Sequence, residues 1–168
     1  MGCDIHMYVQ YREKKKNDDG WWWDFGGHMN PGRDYSLFGI LAGVRDRPEK
    51  GYDPKGIPDF ELGWGARHDL YLTITEDGLE ENCCTLEQAE RYHRPIIKDK
   101  DGKSLMTMHP DWHNHSWLTT EELAQAYRWL KKYEKRGPGL EYRVLLKMMK
   151  ALEDNGKNEV VVVFWFDN

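Results

Sequence analysis

Asp4 and His6 stand two residues apart in a segment where Cys3, Ile5, Met7, Val9 and Tyr11 alternate with Asp4, His6, Tyr8, Gln10 and Arg12. Such alternation marks a β-strand, whose successive side chains point to opposite faces. The apolar set is expected to enter the core, which leaves a carboxylate and an imidazole side by side on the other face. Far downstream, Asp111, His113 and His115 repeat the two-residue step. In an extended segment these three point the same way. Imidazole is the commonest zinc ligand and a carboxylate completes a mixed nitrogen and oxygen set. If the two clusters meet, Asp4, His6, Asp111, His113 and His115 form a ligand set for a divalent metal, zinc first. Asp4, His6, Asp111 and His113 would then be the acid/base groups, moving protons around an acidified metal-bound water. A helix start directly after His115 adds unsatisfied N–H groups that favour an anion nearby.

A blander reading has the downstream histidines on the surface, or bracing a loop through backbone hydrogen bonds. Asp4 and His6 would then be the wet side of a half-exposed sheet. No complete metalloenzyme signature is present: the chain lacks both the His-Glu-x-x-His helix and the zinc deaminase pattern. Nucleophilic catalysis has less behind it. Ser116 follows His115 without a Gly-x-Ser-x-Gly elbow, and Cys3 points away from Asp4 and His6 by parity. No phosphate-binding glycine loop occurs. Trp21, Trp22 and Trp23 could stack a base or a partner, but alternation splits them between faces, and hairpin packing is the commoner outcome.

The elements that must position these groups follow from pattern. Lys14 to Gly20 combines charge with turn formers, so the first strand and the aromatic run Trp21 to Phe25 should form a hairpin. Gly26 to Gly32 reads as a loop, and Asp34 as the cap of a short helix carrying Leu37, Phe38, Ile40, Leu41 and Val44. Residues 45 to 67 form a long Pro- and Gly-rich segment, a candidate lid or recognition loop, or else an excursion pinned by Phe60 and Trp64. Leu70 to Thr75 alternates as a strand, Thr85 with Gln88 resembles a capping box for a helix over 86–92, and Asp101-Gly102 centres a turn. Thr119 with Glu122 is a second capping box. It opens a helix near 120–136 with Leu123, Tyr127 and Leu130 on one stripe. After Gly137-Pro138-Gly139 another helix runs to about 155, with Val144, Leu145, Met148 and Leu152 expected inward. Val160 to Phe166 is an unbroken apolar run, fit for a central strand covered on both faces.

Composition bounds the function classes. A chain of 168 residues with eight Trp, nine Tyr and five Phe has the makings of a core, so a single domain spanning 1–168 is expected. A net charge of −5 without a basic stripe argues against general nucleic-acid binding. No apolar stretch approaches a membrane span, no signal region opens the chain, and the myristoylation pattern fails at His6. Cys3, Cys83 and Cys84 make no disulfide framework, and adjacent Cys83 and Cys84 could bridge only with strain. A reducing cytoplasm is expected.

Met1 to His6, Gly32 to Phe38, Leu41 to Arg45, Pro54 to Pro58, Asp111 to Thr119 and the closing Trp165-Phe166-Asp167-Asn168 together resemble a family of small uncharacterised proteins of tailed phages and prophages. Relatives tend to carry Arg-Gly where this chain has Lys55-Gly56. The resemblance implies a phage-related origin and a host-cytoplasmic setting. It also draws attention to Arg33 and Arg45 as ligands for a substrate anion, a role suited to the guanidinium fork, with salt bridges to Asp34 or Asp46 as the alternative. The expected fold is α+β: a mixed, mainly antiparallel sheet containing the first and last strands, with the two C-terminal helices packed on it. The expected function is a phage accessory protein with a metal-binding, hydrolytic site acting on a small anionic ligand. The competing expectation is a non-enzymatic accessory protein that binds a host protein or a small nucleotide.

Overall fold

In the computed structural model the described residues are 2–13, 22–45, 50–55, 72–75, 78–79, 96–98, 104–107, 113–157 and 159–167; for 72–107 and for His115 only the backbone is described. The elements run β1 (Asp4–Arg12), β2 (Trp23–Met29), α1 (Tyr35–Ala42), β3 (Leu72–Thr75), β4 (Gly78–Leu79), β5 (Ile96–Lys98), β6 (Ser104–Thr107), β7 (His113–Thr119), α2 (Thr120–Glu134), α3 (Leu140–Asp154) and β8 (Glu159–Asp167). The fold is α+β. Contacts divide the chain into two compact units, Met1–Ala66 with His113–Asn168, and Arg67–Trp112.

The first unit holds a four-stranded sheet ordered β2-β1-β8-β7, every pairing antiparallel. Its terminal strands are neighbours over their full length, from Asp4 opposite Asp167 to Arg12 opposite Glu159. The odd residues of β1 and the even residues of β8 share one face, and Cys3, Ile5, Met7, Val9, Val160, Val162, Phe164 and Phe166 join the helices there in one core. Val161, Val163 and Trp165 are buried as well, so the apolar run of β8 is covered on both faces, as its composition demands. Burying a side chain such as Phe164 stabilises the fold by about 1.5–3 kcal/mol.

Local signals set the helices. The Asp34 carboxylate accepts from Leu37 N–H at 3.1 Å and caps α1, which ends at Gly43 in the left-handed conformation. Thr119 and Glu122 form a complete capping box on α2. The Tyr127 hydroxyl donates to the Tyr142 carbonyl at 2.8 Å, tying α2 to α3 inside the core. On α3 the inward stripe is Tyr142, Leu145, Met149 and Leu152. Val144, expected inward, is 45% exposed. One residue is about 100° on a helix, and the large Tyr142 sets the phase that Val144 loses.

Two strands depart from regular alternation. The Gly26–Gly32 tract is not wholly loop: β2 runs through it to Met29. Met7 faces Met29 and Val9 faces Phe25, so β2 carries two extra residues over that step, with Gly26 and Gly27 at φ of 83° and 72°. Glycine permits this bulge. In β7, His113 faces Phe166 and Ser116 faces Phe164, an insertion of one residue, with Asn114 at φ 51°. The described part of the 45–67 segment is anchored. Tyr52 N–H donates to the Ile40 carbonyl and its hydroxyl to the Glu122 carbonyl, while Lys55 ion-pairs with Glu122 over the Trp117 ring. Phe60 and Trp64 lie outside the described residues.

The second unit contains a sheet ordered β4-β3-β6-β5, also antiparallel. Strand β3 falls within the expected 70–75 strand, and β5 and β6 flank the Asp101-Gly102 turn. The turn itself and the expected helix over 86–92 lie outside the described residues.

Candidate functional site

Asp4, His6, Tyr8, Trp165 and Asp167 occupy the face of the sheet opposite the helix-packed core, because even positions of β1 pair with odd positions of β8. At the Asp4 end of this face the polar side chains connect into a line. His6 Nε2 lies 2.8 Å from Asp167 Oδ2, and His6 Nδ1 lies 2.9 Å from His28 Nε2. An ionised carboxylate only accepts, so His6 Nε2–H donates to Asp167. That leaves His6 Nδ1 to share one hydrogen with His28. The result is a carboxylate–imidazole–imidazole chain in which Asp167 fixes the tautomer and orientation of His6, and His6 orients the exposed His28. Beneath it, Trp165 stacks on the His6 ring with centroids 5.2 Å apart, and Tyr8 packs beside His28 at 5.4 Å.

A second carboxylate sits alongside with a different assignment. Asp4 accepts from Arg33 Nε and Nη2 at 2.7 and 2.9 Å, a bidentate pair. That guanidinium holds the Asp4 carboxyl below its usual range, and the same pairing raises Arg33. Arg33 also lies flat against Gly2: a Cβ there would fall 2.1 Å from Nη1, so only glycine leaves room for this rotamer. Asp4 N–H donates to Asp167 Oδ1 at 3.2 Å, so both oxygens of Asp167 are engaged. The ordered approach of Arg33 comes from the α1 cap directly after it, with Tyr142 hydroxyl donating to the Gly32 carbonyl at 2.6 Å. Asp34 is not the partner of Arg33. It pairs with Arg136 at 2.7 and 2.8 Å.

The structure therefore brings together Asp4, His6 and Arg33 of the expected set, and leaves His113 apart. His113 is opposite Phe166 and its ring lies against that residue at 6.0 Å, on the core face, whereas His6 is opposite Trp165 on the other face. The expected convergence of the amino-terminal pair with the later histidines fails at this residue. The cause is the β7 bulge between His113 and Ser116, which puts His113 on the same side as Ser116 and Leu118. His113 Nδ1 donates to Asn114 Oδ1 at 2.9 Å, while Asn114 Nδ2 reaches the Ala42 carbonyl at 3.1 Å. The ring thus braces β7 against the end of α1. Its Nε2 is buried without a hydrogen-bond partner among the described residues. Asp111 and the side chain of His115 lie outside the described residues. Arg45 stands over the Tyr35 ring at 6.0 Å, beside Cys3, whose thiol burial pushes up while Arg45 pulls it down.

Among the described residues no three His, Cys, Asp or Glu side chains gather around one point as a multidentate metal site requires. No helix of the described residues is long and apolar enough to cross a membrane. Two members of the observed chain, His28 and Asp167, escape a reading of single segments. His28 is hidden in a glycine tract that reads as a loop, so that segment alone does not show it on a strand paired with β1. Asp167 becomes visible only when the closing strand is laid antiparallel against the first, which brings its carboxylate opposite Asp4. Comparison of the chain with protein-family models, with curated proteins and with solved structures finds no match.

Proposed function

We propose that this chain is a phage-type accessory protein that works through a hydrolytic acid–base site on the Asp4/His6 face of its main sheet, in the host cytoplasm. The observation that carries the reading is the Asp167–His6–His28 line, an oriented base held by a second oriented base held by a carboxylate. This is the arrangement by which enzymes present an imidazole in one tautomer to a reacting proton. His28, the exposed member, is the group placed to take a proton from an attacking water. His6 shares the charge that develops, and Asp167 stabilises it. Arg33, clamped to Asp4, borders the site and supplies positive potential for a small anionic substrate. A divalent ion, zinc by ligand type, would supply an acidified water at the same face. The phage origin rests on the motif resemblance.

The test is turnover of activated carboxylic and phosphoric esters by the purified protein, with and without zinc, compared with His28→Gln and Asp167→Asn. General acid–base contributions are about 10²–10⁴-fold, so each variant should lose at least about 10²-fold. Hydrolysis unaffected by both variants, or absent in the wild type across every ester class, overturns the reading. One observation favours partner binding instead: Trp23 and Phe25 are exposed on β2, which lies at the edge of the sheet. Loss of a bound host protein on Trp23→Ala, without any hydrolytic activity, would support it.

A further inference from the structure

We infer that the outward side of α3 is a docking surface for a helix of a partner protein that carries apolar side chains along one stripe and carboxylates beside it. The inference does not depend on the acid–base reading, whose residues lie on the other face of the sheet. It names the partner chemistry for the aromatics exposed on β2.

The spacing on α3 carries it. Leu140, Val144, Lys147 and Ala151 follow one another by four, three and four residues, the seam of a helix that pairs with another helix. All four are exposed, Leu140 by 61%, while Tyr142, Leu145, Met149 and Leu152 fill the core on the inner side of the same helix. A helix that served the core alone would be polar on its outer side. Here Leu140, Val144 and Ala151 form a second apolar stripe, back to back with the first.

The two flanks of that stripe differ. Met148 lies on the flank toward β2, where its Cε comes so close to Gly26 that a Cβ added there would fall 2.9 Å away. Beside Gly26, Phe25 and Trp23 are 42% and 52% exposed. They stand opposite Val9 and Tyr11, hence on the helix-packed face, but on the edge strand next to the two that α3 covers, β8 and β1. The apolar surface thus continues from the helix onto the sheet edge. The other flank holds Arg143 and Lys150, each one residue before a seam position. Side chains at that place form the interhelical salt bridges that set partner choice, and a Lys within the seam fixes register. Arg143, Lys147 and Lys150 make no ion pair or hydrogen bond among the described residues, unlike Arg128 with Glu121 or Arg136 with Asp34.

Charge selects the occupant. From Arg128 to Lys150 the chain has eight Lys and Arg against two Glu, although its overall charge is −5. An acidic helix is steered to this patch and away from the rest of the surface. A second α3 would present the same three cations to them, a like-charge contact. Nucleic acid offers phosphates to the cations and leaves Leu140, Val144 and Phe25 without a counterpart. An anionic lipid surface attracts the cations and repels the acidic remainder of the chain.

Selection from a library of helical peptides with randomised facing positions, on the immobilised full chain, reads which chemistry this surface prefers. The expected winners carry apolar residues at alternating three- and four-residue steps with Asp or Glu along one flank. Titrated by fluorescence anisotropy, the strongest of them should bind at least about tenfold more weakly to Val144→Asp and to Lys147→Glu. Both substitutions are at exposed positions, and unchanged far-UV dichroism separates loss of binding from loss of the fold. The same peptide with Lys in place of its acidic residues should bind Lys147→Glu better than wild type, a charge swap that misfolding cannot imitate. No enrichment of acidic helices, or a winner that binds both variants as tightly as wild type, overturns the inference. So does self-association in sedimentation equilibrium, or binding of a DNA duplex or of phosphatidylglycerol vesicles, that these variants abolish while no selected peptide depends on them. Ester turnover in both variants reads the acid–base site separately, since neither residue belongs to it.

Discussion

Replacing Asp34 with Ala should be among the costliest surface-facing changes at the described residues, because one carboxylate accepts three hydrogen bonds. It accepts from Leu37 N–H at 3.1 Å as the α1 cap, and it receives both forks of Arg136 at 2.7 and 2.8 Å. Its side chain is only 9% exposed, whereas Arg136 is 47% exposed. Loss of the cap alone removes about 1 kcal/mol. A bidentate charge-assisted pair adds about 1–2 kcal/mol, kept at the lower part of its range because Arg136 reaches solvent. Asp34→Ala is therefore expected to lose about 2–3 kcal/mol, or about 4–12 °C in Tm for a chain of this size. Asp34→Asn keeps the cap and should lose about 1–2 kcal/mol, and a double-mutant cycle with Arg136→Ala should give a coupling of similar size. Urea unfolding measures all four proteins. Asp34→Ala within about 0.5 kcal/mol of wild type, or a coupling indistinguishable from zero, would refute the reasoning.

The remaining expectations are smaller. Thr119→Ala breaks the capping box of α2 and should destabilise by about 1 kcal/mol, measured in the same urea assay. Gly27 has φ 72° and nothing within 4 Å of an added Cβ, so Gly27→Ala carries only backbone strain, about 1 kcal/mol, visible as a lowered urea midpoint with unchanged slope. Acid sensitivity follows from two carboxyls held below their usual range. Burial raises both Asp34 and Glu122, but Arg136 with Leu37 N–H, and Lys55 with Thr119 N–H, outweigh it. A lowered folded pKa means that the unfolded chain binds protons first. This stability is complete above the unfolded carboxyl range of about 4 and is lost as pH falls through the folded values. Unfolding free energy measured from pH 7 downward should thus hold level to about pH 5 and then decline.

Much of the fold is written locally. The β1 alternation, the apolar β8 run, the Asp34 cap and the Thr119/Glu122 box each depend on neighbours a few residues away, and each appears in the structure as patterned. Half of the candidate site is legible for the same reason, since parity alone sets Asp4 and His6 on one face. The rest depends on pairing and on irregular backbone. Asp167 enters through antiparallel register across 161 residues of sequence, a relation that no single segment displays. His28 enters because β2 runs on through a glycine tract that looks like a loop. His113 leaves through a one-residue bulge, because one insertion moves it to the other face of the strand. The motif resemblance draws attention to Arg33, but its partner Asp4 follows from where the α1 cap delivers it.

The line from Asp167 through His6 to His28 is the core of the proposed site. Long-range ¹H–¹⁵N correlation of the histidine rings at neutral pH reads it most directly. The expected spectrum shows His6 with its proton on Nε2, a downfield Nε2–H resonance that collapses in Asp167→Asn, and cross-relaxation between the His6 and His28 rings. A His6 ring that averages freely between tautomers, unchanged by Asp167→Asn and without contact to His28, would contradict it.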